Sequence, residues 1–323
     1  MTGLARLVVY MGLAGMAWGC DRPAGALREV RVGYMANLSH AQAVLGVHTG
    51  ELQQSLGEVK LVGKVFGAGP TAIEALLAGE VDIAYVGPQP ALAAYARTGG
   101  EGIVILAGAA ANGSVVVARP GAGVRTLEDL AGKRVATPQL GNTQDLSARH
   151  FLKGSGAQIM PAPLAEQIGM MERGQIDAAW VPEPWGARLM RQGGATLVVE
   201  ERELWADKQL TCTVVVTRPE FLREHPEVVR KVLSVHRSWT KRLSADPKAH
   251  KPALEAALFA LTGRKLPEGV LDDALGRVEF TEAVLPATLE GYAQWSSELG
   301  LAKPIRDMRK LVDSSMLEKL EVP

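Results

Sequence analysis

The chain has 323 residues, 47% of them apolar, and its 35 basic and 35 acidic residues leave a formal net charge of zero. That length allows two domains of ordinary size with a sizeable core, and the composition excludes a disordered chain. The balanced charge, with no Lys/Arg block, argues against nucleic acid as the main partner, and aromatics at 5% leave few rings for stacking.

In chain order, the first segment stands apart. Arg6 is its one charge after the start, residues 7–18 are apolar or Gly, and Gly19-Cys20 precedes Asp21-Arg22-Pro23. A short charged region, an apolar stretch too short for a good spanning helix and a small-residue cleavage site read as an export signal over 1–20. Cys20 after Gly19 resembles the lipobox of bacterial lipoproteins, in which the cysteine is acylated and becomes the mature N-terminus. Ala17 stands where that motif usually has Leu, and a plain secretory peptide cut nearby is the alternative. With lipid on Cys20, Cys212 has no partner, so the fold does not depend on a disulfide, and two cysteines so far apart cannot build a metal site. Residues 21–28 read as a tether.

From Glu29 onward strands and helices alternate. Strands are expected at 30–34, 59–66, 81–86 and 103–107, with helices at 39–52, 71–77 and 91–97 between them. A strand at 114–118 is followed by the break Arg119-Pro120-Gly121-Ala122-Gly123, and the rhythm restarts. A short helix at 127–131, a strand at 134–137, helices at 143–153 and 165–172, a strand at 176–181, a helix at 185–191 and strands at 196–199 and 211–216 follow. Beyond Pro219 the chain reads as helix, mainly over 226–243, 247–261, 268–275 and 286–299. This rhythm predicts an α/β protein of two lobes, each a mixed, mostly parallel sheet flanked by helices. The expected crossings lie near Ala118-Arg119 and Leu210-Thr211, giving a discontinuous first lobe (29–118 and 211–323) and a second lobe (119–210), with a cleft between them as the ligand site.

In a parallel sheet the loops after the strand carboxyl ends share one edge, where ligands bind. Four such loops have the same chemistry: Asn37-Leu38-Ser39-His40, Gly69-Pro70-Thr71 (after Gly67-Ala68), Gly87-Pro88-Gln89, and Gln139-Leu140-Gly141-Asn142-Thr143. Each opens a helix, whose N-terminus offers unpaired N–H groups and a partial positive charge suited to an anion. Glycines let the backbone approach closely, and Ser39, Thr71, Asn142 and Thr143 add donors. Any one loop alone is equally an ordinary helix cap, and the case for a ligand is their recurrence on one edge. No G-x-x-x-x-G-K-[ST] occurs, so nucleotide hydrolysis is unsupported.

A fifth junction is Trp180-Val181-Pro182-Glu183-Pro184-Trp185. Glu183 sits at or next to a helix cap, and Trp185 is either an apolar wall for a ligand tail or part of a packed helix start. If Glu183 points into the cleft, it reads an ammonium or hydroxyl group. His40 is either a neutral donor to an oxyanion or, at mildly acid pH, a protonated counter-charge.

The stretches "GAGPTAIEALLAGEVDIAYVGPQPAL" (67–92), "TLEDLAGKRVATPQLGNTQDLSARHFL" (126–152) and "GQIDAAWVPEPWGARL" (174–189) resemble the periplasmic binding proteins of nitrate/sulfonate/taurine-type ABC importers over roughly residues 29–300. The resemblance implies the two-lobed type II binding-protein fold with two hinge crossings. It also implies a small anionic or zwitterionic ligand in the cleft and a membrane permease as partner. No cofactor or metal is implied, and the pocket positions fall on the loops already named, with Glu183 and Trp185 added.

Two other classes compete. An enzyme on this fold lacks support: Ser39 and His40 are adjacent on a helix start and point apart, and His48, His150, His225, His236 and His250 form no H-x-x-x-H. A sensory domain lacks a DNA-binding helix pair or a second hydrophobic anchor. The expectation is therefore a monomeric extracytoplasmic solute receptor, lipid-anchored if Cys20 is acylated.

Overall fold

The structure is a computed structural model and describes residues 27–320; the expected export signal, Cys20 and most of the tether lie outside the described residues. Two mixed sheets, each flanked by helices, form two lobes.

The first sheet begins with strand–helix–strand units. β1 (Glu29–Tyr34) leads through a 3-10 turn at Leu38–His40 into α1 (Ala41–His48) and α2 (Glu51–Leu56). The expected single helix over 39–52 breaks at Gly50, whose φ of 79° belongs to the left-handed region that glycine tolerates. Then come β2 (Lys60–Val65), α3 (Gly69–Leu77), β3 (Ile83–Val86), α4 (Pro88–Arg97) and β4 (Val104–Asn112). Every residue of β3 and β4 is buried, and both read as continuous apolar or small runs because helices cover the sheet on both faces.

The chain then crosses to the second sheet: β5 (Ser114–Ala118), β6 (Arg134–Thr137), α5 (Thr143–Phe151), β7 (Gln158–Pro161), α6 (Leu164–Glu172), β8 (Ala178–Pro182), α7 (Trp185–Gly193) and β9 (Thr196–Glu200). A 3-10 turn at Glu201–Leu204 leads back to β10 (Thr211–Thr217) in the first sheet. Helices α8 (Pro219–Glu224), α9 (Pro226–Ala245), α10 (Lys251–Thr262) and α11 (Val270–Leu275) follow, then β11 (Val278–Phe280), α12 (Pro286–Glu298) and α13 (Ser315–Glu318). The strand orders are β11-β4-β10-β3-β1-β2 and β7-β6-β8-β5-β9.

β1 pairs in parallel with β2 and β3, and β6 with β7 and β8. The strands that enter after a crossing, β5 and β10, pair antiparallel, so antiparallel pairing takes a larger share than the strand–helix rhythm predicts. The short strands β7 and β11 fall in stretches with no strand expectation. Both are short edge strands, too brief to carry a clear alternation.

The first crossing differs from its expected place. β5 pairs with β8 and β9, so the chain leaves the first sheet at Asn112-Gly113 and not at Ala118-Arg119. Both residues there have positive φ, 62° and 73°, a two-residue left-handed step that needs no long linker. The Pro/Gly break at 119–123 is a loop inside the second lobe. The two crossings are tied together, since Asn112 N–H donates to Leu210 O at 2.8 Å and Leu210 N–H to Asn112 Oδ1 at 3.2 Å.

Beside them sits Glu201, fully buried. Its Oε2 accepts from Ser114 Oγ at 2.5 Å and Trp180 Nε1 at 2.7 Å, and its Oε1 from Ser147 Oγ at 2.5 Å and Tyr292 OH at 3.1 Å. Four donors offset the loss of water around this carboxylate, and no salt bridge includes it among the described residues. Among the described residues no helix is long and apolar enough to cross a membrane.

Candidate functional site

The loops after β1, β2, β3 and β6 meet between the lobes around a cavity of about 30 Å³. The first lobe contributes Asn37, Ser39 and His40 from the turn after β1, Gly69 at the start of α3, and Gly87 just before α4. The second lobe contributes Asn142 and Thr143 at the start of α5. Asn142 caps that helix, its Oδ1 accepting the Asp145 N–H at 2.8 Å.

Thr143 reaches across the cleft. Its hydroxyl accepts the backbone N–H of Gln89, in the first turn of α4, at 3.3 Å. Gly87 makes this approach possible: a Cβ there would lie 2.3 Å from Thr143 Oγ1. Close to the cavity, Trp185 Nε1 also donates across the lobes to Asn37 Oδ1 at 2.9 Å, and Leu38 N–H to Glu183 O at 3.0 Å.

Other expected site residues do not line the cavity. The Leu38 side chain is fully buried in the first lobe's core. Thr71 is exposed, and its hydroxyl donates locally to Ala68 O at 2.8 Å. Pro70 and Gly141 line a separate outer groove together with Leu140. Pro88 is buried at the start of α4, and the Gln89 side chain points away, its Nε2 donating to Ser296 Oγ on α12 at 2.8 Å. Gln139 contributes its backbone oxygen to the Asn142 N–H at 3.1 Å. Trp185 touches the site through Asn37 rather than as a wall of the cavity.

Glu183 does not face the cavity either. Its Oε2 accepts the Ala187 N–H at 2.9 Å, and its Oε1 meets Arg277 NH1 at 3.1 Å. It therefore has no position from which to read an ammonium group in the cavity. Burial pushes its carboxyl up to about 7, with the Ala187 N–H and Arg277 pulling the other way.

The cavity also takes residues that strand-end logic misses. Cys212 and Thr213 line it from the beginning of β10, which runs antiparallel to its neighbours and so presents its N-terminal end to the cleft. Gln144, one residue past Thr143, lines it as well, and its Oε1 accepts from Asn142 Nδ2 at 2.9 Å. Leu164, Pro138 and Pro182 supply apolar wall.

Among the described residues no Lys, Arg, Asp or Glu lines this cavity. His40 is neutral at any ordinary pH: burial pushes it down to about 3, which removes the protonated counter-charge considered above. Its Nδ1 accepts the Met35 N–H at 3.5 Å, leaving the proton on Nε2. Burial pushes the Cys212 thiol up to about 12, so it stays protonated. The polarity of the site thus comes from amides, hydroxyls and the N-termini of α3, α4 and α5.

A model of the NMT1-like family matches residues 24–258. The chain is 28% identical over 169 residues to the taurine-binding periplasmic protein of Escherichia coli (strain K12), a match covering 51% of this chain and 52% of that relative, about half its length. Solved structures share the fold, two of them as follows. The alkanesulfonate-binding protein SsuA from Xanthomonas axonopodis pv. citri, bound to MOPS, superposes with a TM-score of 0.71 at 22% identity, over 88% of this chain and 98% of that one. The periplasmic nitrate-binding protein NrtA from Synechocystis PCC 6803 superposes with a TM-score of 0.77 at 15% identity, over 92% and 90%.

Proposed function

This chain belongs to the NMT1-like family, and from that premise we propose that it is the extracytoplasmic solute receptor of an ABC importer. It takes a small anion or zwitterion of the sulfonate, taurine or nitrate class between its lobes and hands it to a membrane permease. The observation that carries the reading is the shared cavity: Asn37, Ser39 and His40 of one lobe face Asn142, Thr143 and Gln144 of the other, with three helix N-termini aimed at the same edge. Such a site grips an oxyanion through oriented dipoles and not through formal cations.

The mechanism is hinge closure about Asn112-Gly113 and the 201–210 segment, with residues 29–112 and those from 211 onward as one lobe and 113–210 as the other. A ligand that touches both lobes binds the closed form better and shifts the population toward it. The reading is of a receptor and not of an enzyme: the thiol in the cavity is held protonated, and His40 beside it is buried as a neutral ring with its Nδ1 engaged.

We further propose a monomer held at the outer face of the cytoplasmic membrane by acylation of Cys20. Mass spectrometry of the mature N-terminal peptide checks this, and an unmodified N-terminus elsewhere rejects it. Titration calorimetry against nitrate, taurine and short aliphatic sulfonates tests the receptor reading. Saturable binding with a fall in radius of gyration is expected. No binding to any of them, together with an unchanged radius, overturns it.

A further inference from the structure

Glu183 and Arg277 occupy opposite lobes and meet outside the cavity. Glu183 directly follows β8, while Arg277 lies between α11 and β11 of the first lobe. The Glu183 carboxyl is fully buried, and Arg277 NH1 reaches its Oε1 at 3.1 Å. Arg277 also reaches Glu200 Oε1, at the end of β9 in the second lobe, at 3.5 Å. One arginine of the first lobe thus bridges two carboxylates of the second. Two first-lobe groups touch Glu183: Arg277 at its carboxyl, and Leu38, whose N–H donates to the Glu183 backbone O at 3.0 Å.

We propose that Glu183 and Arg277 form a proton-linked clasp, in which closing the lobes buries the Glu183 carboxyl and takes up a proton, so that the closed form gives way to the open one as pH rises. This rests on the receptor reading above, since it concerns the same closure.

The argument is one of competing solvation. In the open form Arg277 and Leu38 move away with their lobe, and water reaches Glu183. In the closed form the carboxylate keeps only the Ala187 N–H and one arginine contact in place of that water. A buried ion pair recovers its desolvation cost only when both partners are fully satisfied, and here Arg277 is shared with Glu200. Burial works against the arginine here and pushes Glu183 up to about 7. Protonated Glu183 can keep the Ala187 N–H, and Arg277 keeps Glu200.

The other charged groups nearby do not reproduce this behaviour. Asp273 on α11 is paired with Arg191 of α7, at 2.6 Å, and is held low. Arg188 on α7 is a cation throughout the working range. Glu200 on β9 adds a charge that raises Glu183 further. His40, in the turn that covers Glu183, works in the opposite sense: its burial on closure favours proton release. The clasp is therefore read as a difference between the wild type and a variant lacking the Glu183 carboxyl.

Small-angle scattering of the unliganded full chain at pH 5.5 and pH 8.5 tests it. The wild type is expected to expand at the higher pH, and Glu183→Gln, which keeps an acceptor for Ala187, to stay equally compact at both. Arg277→Lys should preserve the wild-type profile, and Arg277→Met should move the expansion to lower pH by withdrawing the cation that compensates the carboxylate. Calorimetry with whichever anion of the panel binds gives a second readout: at pH 7 the wild type should take up about half a proton more per ligand than Glu183→Gln. A radius that changes equally in wild type and Glu183→Gln, or in neither, overturns the clasp. Binding with equal proton uptake in both proteins sinks the clasp and leaves the receptor intact. Absence of any binding with a variant-specific expansion does the reverse.

Discussion

Thr143 and Gln89 lie on different lobes, and the hydroxyl of the first accepts the backbone N–H of the second at 3.3 Å, so a side chain from one lobe caps a helix of the other. The bond needs the lobes to be shut and a glycine at 87 to let them shut so far. Closure in this protein is consequently measured by one missing methyl group.

Gly87→Ala is expected to weaken ligand binding by at least about tenfold, equivalent to roughly 1.4 kcal/mol. The added Cβ lies 2.3 Å from Thr143 Oγ1, but φ at 87 is −66°, so alanine is unstrained there when the lobes are open. Thermal unfolding should barely move while calorimetric affinity falls. A fall in both by equal free energy would mark residue 87 as merely structural.

Replacing Asn142 and Thr143 together with Ala removes the α5 cap and the cross-lobe bond. The lost cap should cost about 1 kcal/mol of stability. The loss of binding free energy should exceed that, because both side chains also face the cavity. Equal affinity in titration calorimetry would reject their role.

His236 gives a pH prediction with a definite sign. Its ring is buried, Nδ1 meets Tyr85 OH at 3.1 Å, and burial pushes it down to about 4. The unfolded chain then binds a proton more readily than the folded one. Stability from this residue is fully present above about pH 6.5 and is lost as pH falls toward 4, on the order of 3 kcal/mol in full. His40 adds to the loss in the same direction, with its folded value near 3. Glu183, raised by burial, gains stability over the same range, so the test is the difference: urea midpoints measured from pH 7 to 4 should drop more in the wild type than in His236→Gln.

Tyr292→Phe deletes the first-lobe donor to Glu201 while keeping the ring packed against Trp205 and Trp295. A hydrogen bond to a charged group contributes about 1.5–3 kcal/mol. Chemical denaturation should show a loss in that range. An unchanged midpoint would mean that Ser114, Ser147 and Trp180 suffice for the carboxylate.

The alternation of strands and helices was readable because Gly, Pro, Asn and Thr punctuate the helix starts and the strands between them are short apolar runs. The same punctuation located Asn37, Ser39, His40, Gly69, Gly87, Asn142 and Thr143, which the fold brings to one cavity. Side-chain direction was not readable. Gln89 and Glu183 stand in the right loops but turn toward α12 and Arg277, because their partners come from residues more than ninety positions away. Cys212 and Thr213 were hidden for another reason. They begin a strand instead of ending one, and their place follows from β10 running against its neighbours. The crossing at Asn112-Gly113 is not legible because an Asn-Gly pair between apolar strands looks like a hairpin tip, whereas the Pro/Gly break after Ala118 looks like a linker.

Strand β10 sits between β3 and β4 in the middle of the first sheet, yet it arrives after residues 113–210 have gone into the other lobe. The first sheet therefore cannot complete its interior until the whole intervening lobe has been synthesised and its ends brought back to Asn112 and Leu210. Pairing across so long a loop is slow compared with local contacts. The order of assembly that follows is second lobe first, as a self-contained excursion, and then insertion of the last central strand, so that a chain interrupted before Thr211 would hold one finished half and one open-hearted one.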